Sequence, residues 1–119
     1  MTFKITGRSN WENIAFYFIE KYVTSDSNIV YRQDIFSDSD LYFFSEQFAP
    51  LFLHKKKPRH PEETLQRTLQ NLRDKGYLDF LGQGEYRLTE EGRAIIKSED
   101  YIKFCDIYQG IKKKMTSIG

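Results

Sequence analysis

Residues 61–89 read PEETLQRTLQNLRDKGYLDFLGQGEYRLT and carry the most regular pattern in the chain. Three leucines recur at steps of four and three residues, as on one face of a helix: Leu65, Leu69 and Leu72. Pro61 suits the first helical position, and the two glutamates that follow it suit the positive end of the helix dipole. Gly76 is a typical C-terminal stop. The pattern predicts a helix over residues 61–75.

A hairpin is predicted directly after this helix. Residues 77–81 and 85–89 are rich in aromatic and aliphatic side chains, and the two segments flank Gly82-Gln83-Gly84. A short glycine-rich connection between two such runs is typical of a tight β-turn.

Further helices are predicted on both sides of this unit. Residues 9–23 show helical spacing, residues 29–31 are a candidate strand, and a second helix is predicted from residues 37–40 to Pro50. Short and long helices are predicted over residues 90–97 and 98–114. The last helix carries an apolar stripe that consists of Tyr101, Phe104, Cys105, Tyr108 and Ile111.

The composition favours one globular intracellular domain. The 119 residues are 39% hydrophobic and 16% aromatic, which excludes disorder for most of the length. No apolar run approaches the ~18 residues that cross a bilayer, and residues 1–7 lack the apolar core of a signal peptide. The single cysteine, Cys105, favours a reducing compartment, so a cytoplasmic location is expected.

The net charge of +1 conceals an uneven layout. Residues 34–46 contain four acids and no Lys or Arg, whereas residues 54–73 contain six bases against two acids. A second basic run lies at residues 112–114. A local basic field of this kind attracts a polyanion, whatever the total charge.

Three helices followed by a hairpin resemble the winged-helix arrangement, a helix-turn-helix with a β wing. Residues 63–80 resemble its recognition helix and first wing strand, and Tyr86-Arg-Leu-Thr-Glu-Glu-Gly-Arg93 resembles its second wing strand entering the next helix. Residues 59–88 are also similar to winged-helix modules of restriction endonucleases, including the methyladenine-dependent, GATC-cutting type. The resemblance implies a mostly α-helical fold with a small hairpin, in a prokaryotic or phage-like cell, bound to double-stranded DNA at the nucleoid.

Residue types on the predicted recognition helix match the task of reading bases. The leucine stripe turns Glu63, Gln66, Arg67 and Gln70 outward, where Arg can fork onto guanine and Gln onto adenine. Predicted backbone contacts are Thr64 and Asn71 on the helix flank, with Lys55, Lys56, Lys57, Arg59 and His60 in the preceding loop. Predicted wing contacts are Gln83 and Arg87. The predicted function is sequence-specific binding, as a small transcription regulator or as the DNA-reading module of a restriction or modification enzyme.

A second function is also compatible with the sequence. The chain could be a winged-helix protein-interaction module without DNA contact, a hypothesis that the acidic residues 34–46 favour.

The last helix also has two possible uses. Residues 1–97 are predicted to form the winged-helix domain, and the helix in residues 98–119 either packs on this domain or docks to a second copy or a catalytic domain. The stripe on that helix has the same spacing in both cases.

Catalysis by this chain alone is not expected. His54 and His60 lie among cations, and no further ligand completes a metal site. Asp79, Glu85 and Arg87 have a nuclease-like order, but they lie on a short hairpin, where a salt-bridging surface is the commoner role. No catalytic residue, metal or cofactor is predicted.

Overall fold

The computed structural model describes residues 10–38, 40–43 and 61–118. The helices are α1 (Asn10–Tyr22), α2 (Arg32–Phe36), α3 (Asp40–Phe43), α4 (Pro61–Asp74), α5 (Glu90–Ile96) and α6 (Glu99–Ile118). The strands are β1 (Ile29–Tyr31), β2 (Leu78–Gly82) and β3 (Glu85–Leu88). The predicted fold class is confirmed, because a mostly helical chain carries a small antiparallel sheet in winged helix-turn-helix order.

Helix α1 lies at the centre of the core. Ile14, Phe18 and Ile19 are fully buried, as the helical spacing predicts, but Phe16 and Asn13 on other faces are fully buried too. The reason is that α4 and α6 both pack against α1, so more than one of its faces is covered. One hydrophobic cluster connects α1 with β1, α2, α3, α4, the wing strands and α6.

The sheet has three strands in the order β1-β3-β2, all antiparallel. Val30 and Phe80 both pair with Tyr86, so the candidate strand at residues 29–31 is confirmed and extends the predicted hairpin by one edge strand. The turn between β2 and β3 has positive φ at three successive residues, Gly82 (95°), Gln83 (51°) and Gly84 (75°). Glycine tolerates these angles, which explains the Gly-Gln-Gly sequence of the wing turn (residues 82–84).

The predicted second helix is only partly correct. A helix does begin at Asp40, where the Asp38 carboxylate accepts a hydrogen bond from the Asp40 backbone N–H at 2.7 Å. The five-residue helix α2 was not predicted, and it ends where the Ser37 hydroxyl donates to the Gln33 carbonyl at 2.8 Å. The predicted continuation through residues 44–50 lies outside the described residues.

The predicted last helix is present, and it is longer than expected. Helix α6 extends to Ile118, four residues past the predicted end at 114. Tyr101, Phe104 and Tyr108 are buried within the chain. The Tyr101 hydroxyl donates to Glu20 of α1 at 3.0 Å. The described part of the apolar stripe therefore packs on α1 of the same chain. The division at residue 97 has not been tested and stays a prediction.

Candidate nucleic-acid interface

Helix α4 presents a polar face opposite its leucine stripe. Leu65, Leu69 and Leu72 are fully buried, and this orientation leaves the opposite side of the helix in solvent. The four predicted base-reading side chains are exposed and line one shallow groove of about 320 Å³: Glu63, Gln66, Arg67 and Gln70. Of the predicted flank contacts, Thr64 is half-buried and Asn71 is exposed. The structure brings the four residues together, and their role as DNA contacts stays a prediction.

The position of α4 is fixed at its C-terminal end as well as by its leucines. Lys75 follows the helix and donates to the Glu12 carboxylate of α1 at 2.7 Å. The Glu12 side chain is almost completely buried, so the lysine compensates a charge inside the protein. A helix held by both contacts presents its exposed face in a defined orientation.

The wing carries the two predicted lateral contacts in different settings. Gln83 is exposed at the turn, whereas Arg87 is exposed on the outer face of the sheet, opposite Asp79 in the register. On the other face, the Arg73 guanidinium of α4 lies 5.5 Å from the centroid of the Phe80 ring. This contact connects the C-terminal part of α4 to strand β2.

A second groove lies between α2, α4 and the wing turn. Its volume is about 550 Å³, and its lining residues are Tyr31, Arg32, Gln33, Asp34, Phe36, Ser37, Gln66, Gln83 and Gly84. We call it the wing groove. Gln66 lines the wing groove as well as the shallow groove on α4, so the two form one continuous surface. The backbone N–H of Arg32 donates to the Gly84 carbonyl at 2.8 Å and joins α2 to the wing turn.

No pattern in the sequence predicted the residues of α2 in this groove. They follow a three-residue strand directly, and the five-residue helix is too short to show a periodic pattern. The available signal was Arg32 itself, a cation two residues before the acidic segment 34–46.

Two acids of that segment are compensated inside the chain. The Asp38 carboxylate accepts from Lys21 Nζ at 2.7 Å and from the Tyr22 hydroxyl at 2.6 Å. Burial opposes the ionisation of Asp38, but these hydrogen bonds outweigh it and hold the pKa of the carboxyl below its ordinary value. The hydrogen bond to Asp38 raises the pKa of Lys21 and that of Tyr22.

Asp40 links α3 to the last helix. Its carboxylate accepts from Lys112 Nζ of α6 at 2.6 Å and from the Tyr17 hydroxyl of α1 at 3.0 Å. Burial, together with the charge of Asp40, raises the pKa of Tyr17 to about 12. The two buried carboxylates and their partners form a polar cluster that consists of Asp38, Asp40, Tyr17, Lys21, Tyr22 and Lys112. The cluster connects α6 with α1 and α3.

The predicted backbone contacts in the loop before α4 cannot be compared with this geometry. Lys55, Lys56, Lys57, Arg59 and His60 lie outside the described residues, as does His54. Within residues 10–38, 40–43 and 61–118, no three His, Cys, Asp or Glu side chains are grouped so that they could hold a metal ion. Over the same ranges, no helix is long and apolar enough to cross a membrane.

Comparison with known families accounts for the order of these elements. The family model DpnI_C, the Dam-replacing HTH domain, matches residues 28–88, which is half of the 119-residue chain. The match runs from the start of β1 to the end of β3 and contains α4 and the wing turn. No curated protein and no solved structure matches the chain. The resemblance to restriction-endonuclease winged helices is confirmed, and the chain belongs to the Dam-replacing HTH domain family.

Proposed function

We propose that this chain binds double-stranded DNA sequence-specifically, with α4 in the major groove. The observation that carries the proposal is the continuous polar surface formed by the exposed face of α4 and the wing groove, joined at Gln66. In a helix-turn-helix, the N-terminal half of the second helix reaches base edges. Membership in a family of HTH domains supports the same function.

The residues take roles according to their chemistry. Arg67 forks onto guanine O6 and N7, and Gln66 and Gln70 each fork onto adenine N6 and N7. Glu63 accepts from cytosine N4. The proposed contacts to the DNA backbone are Thr64, Asn71, Lys55, Lys56, Lys57, Arg59 and His60. The proposed wing contacts are Gln83 and Arg87.

The biological setting belongs to the proposal as well. The chain acts in the cytoplasm at the nucleoid, as a small regulator or as the DNA-reading module of a restriction or modification enzyme, without catalysis of its own. Residues 1–97 form the DNA-binding domain. The exposed side of α6 is the candidate surface for a second copy or an attached catalytic domain.

The alternative of a protein-interaction module without DNA contact has less support. It drew on the acidic charge of residues 34–46, yet Asp38 and Asp40 pair with Lys21 and Lys112 inside the chain. These two acids therefore contribute little to an acidic outer surface.

Enrichment of duplexes from a random library, followed by binding measured over a salt series, separates the two functions. DNA binding predicts an enriched sequence and a log–log salt slope of about −0.9 for each phosphate contacted. Retention of no duplex over background at low salt would contradict the proposal and favour the protein-interaction module.

A further inference from the structure

Arg32 lines the wing groove at a point that no sequence motif indicates. Its backbone bond to Gly84 sets the start of α2 beside the wing turn. The side chain follows the same turn, because Nη2 lies 3.6 Å and Nε 3.7 Å from the position that a Cβ on Gly84 would occupy. The residue is half-buried, so its guanidinium is held at the wing edge of the groove.

The Arg32 guanidinium also has no partner for its charge among the residues that the structure describes. Among the described arginines, Arg73 lies over the Phe80 ring and Arg93 donates to the Asn28 side chain. Arg32, Arg67 and Arg87 have neither an ion pair nor a side-chain hydrogen bond to any described residue. The last two of these are already proposed DNA contacts, and Arg32 shares with them a guanidinium that no described residue neutralises.

The carboxylate nearest in sequence, Asp34, also lines the groove, but it does not neutralise Arg32. Side chains two residues apart in a helix point in different directions. Neither Arg32 nor Asp34 makes an ion pair with any described residue. The guanidinium is therefore available to an anion from the wing side.

We infer that Arg32 binds a DNA backbone phosphate at the wing edge of the groove while α4 lies in the major groove. The inference rests on the proposed function, because a duplex on the exposed face of α4 continues past Gln66 into the wing groove. A guanidinium matches a phosphate with two parallel hydrogen bonds, and most protein–DNA hydrogen bonds go to the backbone. Arg32 thus positions the duplex on the wing and does not read a base.

The test compares four variants of the full chain on an enriched duplex and on an unrelated one, over a salt series. Arg32→Ala is expected to weaken binding to both duplexes about tenfold, since one charge-assisted contact is lost. Its salt slope should shrink by about 0.9. Arg32→Gln keeps much of the aliphatic stem and should show the same losses, whereas Arg32→Lys should retain the wild-type slope. Lys103→Ala removes an exposed cation that lines neither groove and should change nothing.

The outcomes separate this inference from the proposed function. Unchanged affinity and slope for Arg32→Ala and Arg32→Gln, with the wild type binding normally, would overturn the inference and leave the proposed function intact. A loss confined to the enriched duplex, with an unchanged slope, would overturn the phosphate assignment in favour of a base contact. Failure of the wild type to bind either duplex would overturn the proposed function itself.

Discussion

Gly92 shows how closely the wing and the following helix approach each other. It is buried at the start of α5, where the Thr89 side chain accepts the Gly92 backbone N–H at 3.0 Å. A Cβ at this position would lie 2.3 Å from the Tyr77 carbonyl oxygen and 2.7 Å from Leu88 Cδ1. Cβ atoms in proteins do not approach other atoms this closely, so a side chain here requires the backbone at Tyr77 or in α5 to move.

We therefore expect Gly92→Ala to destabilise the fold by about 1–3 kcal/mol, the usual range for overpacking a core site. Gly110→Ala is the matched control, because no described atom beyond the local backbone of α6 lies within 4 Å of its Cβ position. An alanine in a helix interior should stabilise the chain by roughly 0.5–1 kcal/mol. Urea unfolding of both variants measures the difference, and equal effects of the two substitutions would contradict the close approach.

At this scale the sequence predicts some side chains well and others not at all. The exposed residues of α4 follow from the leucine stripe, because three buried positions determine which side of a helix faces solvent. Phe16 and Asn13 could not be assigned to the core in the same way. Their burial depends on two other helices that pack on α1, and the residue spacing within α1 does not indicate these contacts.

The helices and strands also differ in how far the sequence predicts them. Helix α4 and the wing strands were predictable because proline, glycine and leucine mark their ends and faces. Helix α2 was not, because it has five residues and its N-cap, Tyr31, makes no side-chain capping bond. The pairing of β1 with β3 joins residues 29–31 to residues 85–87, and no local pattern specifies a partner so distant in sequence.

The hydrogen bonds between Asp38 and α1 predict how stability depends on pH. Asp38 has a lower pKa in the folded chain than its ordinary value of 3.8, so the unfolded chain binds the proton more readily. The stabilisation by Asp38 is therefore complete above pH 3.8 and is lost as the pH falls through the lowered pKa. Asp38→Asn should cost about 1–3 kcal/mol at pH 7 and should flatten the acid decline of the unfolding free energy.

Asp106→Asn is the control for this experiment, because Asp106 is exposed on α6. Its unfolding free energy should follow the wild-type pH curve. Denaturant midpoints between pH 2 and 7 give both curves. An acid decline of Asp38→Asn as steep as that of the wild type would show that Asp38 does not contribute to the pH dependence.

For the whole molecule, the question is which surface covers the apolar stripe of α6. The spacing of its apolar residues is the same whether α1 of this chain or another protein surface covers them, so the sequence alone does not distinguish packing from docking. In the structure, Tyr108 is fully buried and its ring centroid lies 5.0 Å from that of Tyr17 on α1. Ile102 on the same helix is 49% exposed.

Two substitutions on α6 therefore predict different results. Tyr108→Glu should lower the melting temperature strongly, because it places a carboxylate in the core. Ile102→Glu should leave the melting temperature nearly unchanged, and any effect on sedimentation would assign docking to the exposed side of α6. Equal melting temperatures for the two variants would contradict the packing of α6 on α1.

We propose that the exposed face of α4 reads base edges in the major groove. A double-mutant cycle on the enriched duplex tests this directly by measuring binding free energies, with Arg67→Ala combined with 7-deazaguanine at each guanine in turn. The analogue removes the N7 acceptor that a bidentate arginine requires. We expect each single change to cost ~1–3 kcal/mol of binding at one guanine, and the double change to cost little more than either alone. Costs that add at every guanine would mean that Arg67 reads none of them and would contradict base reading by α4.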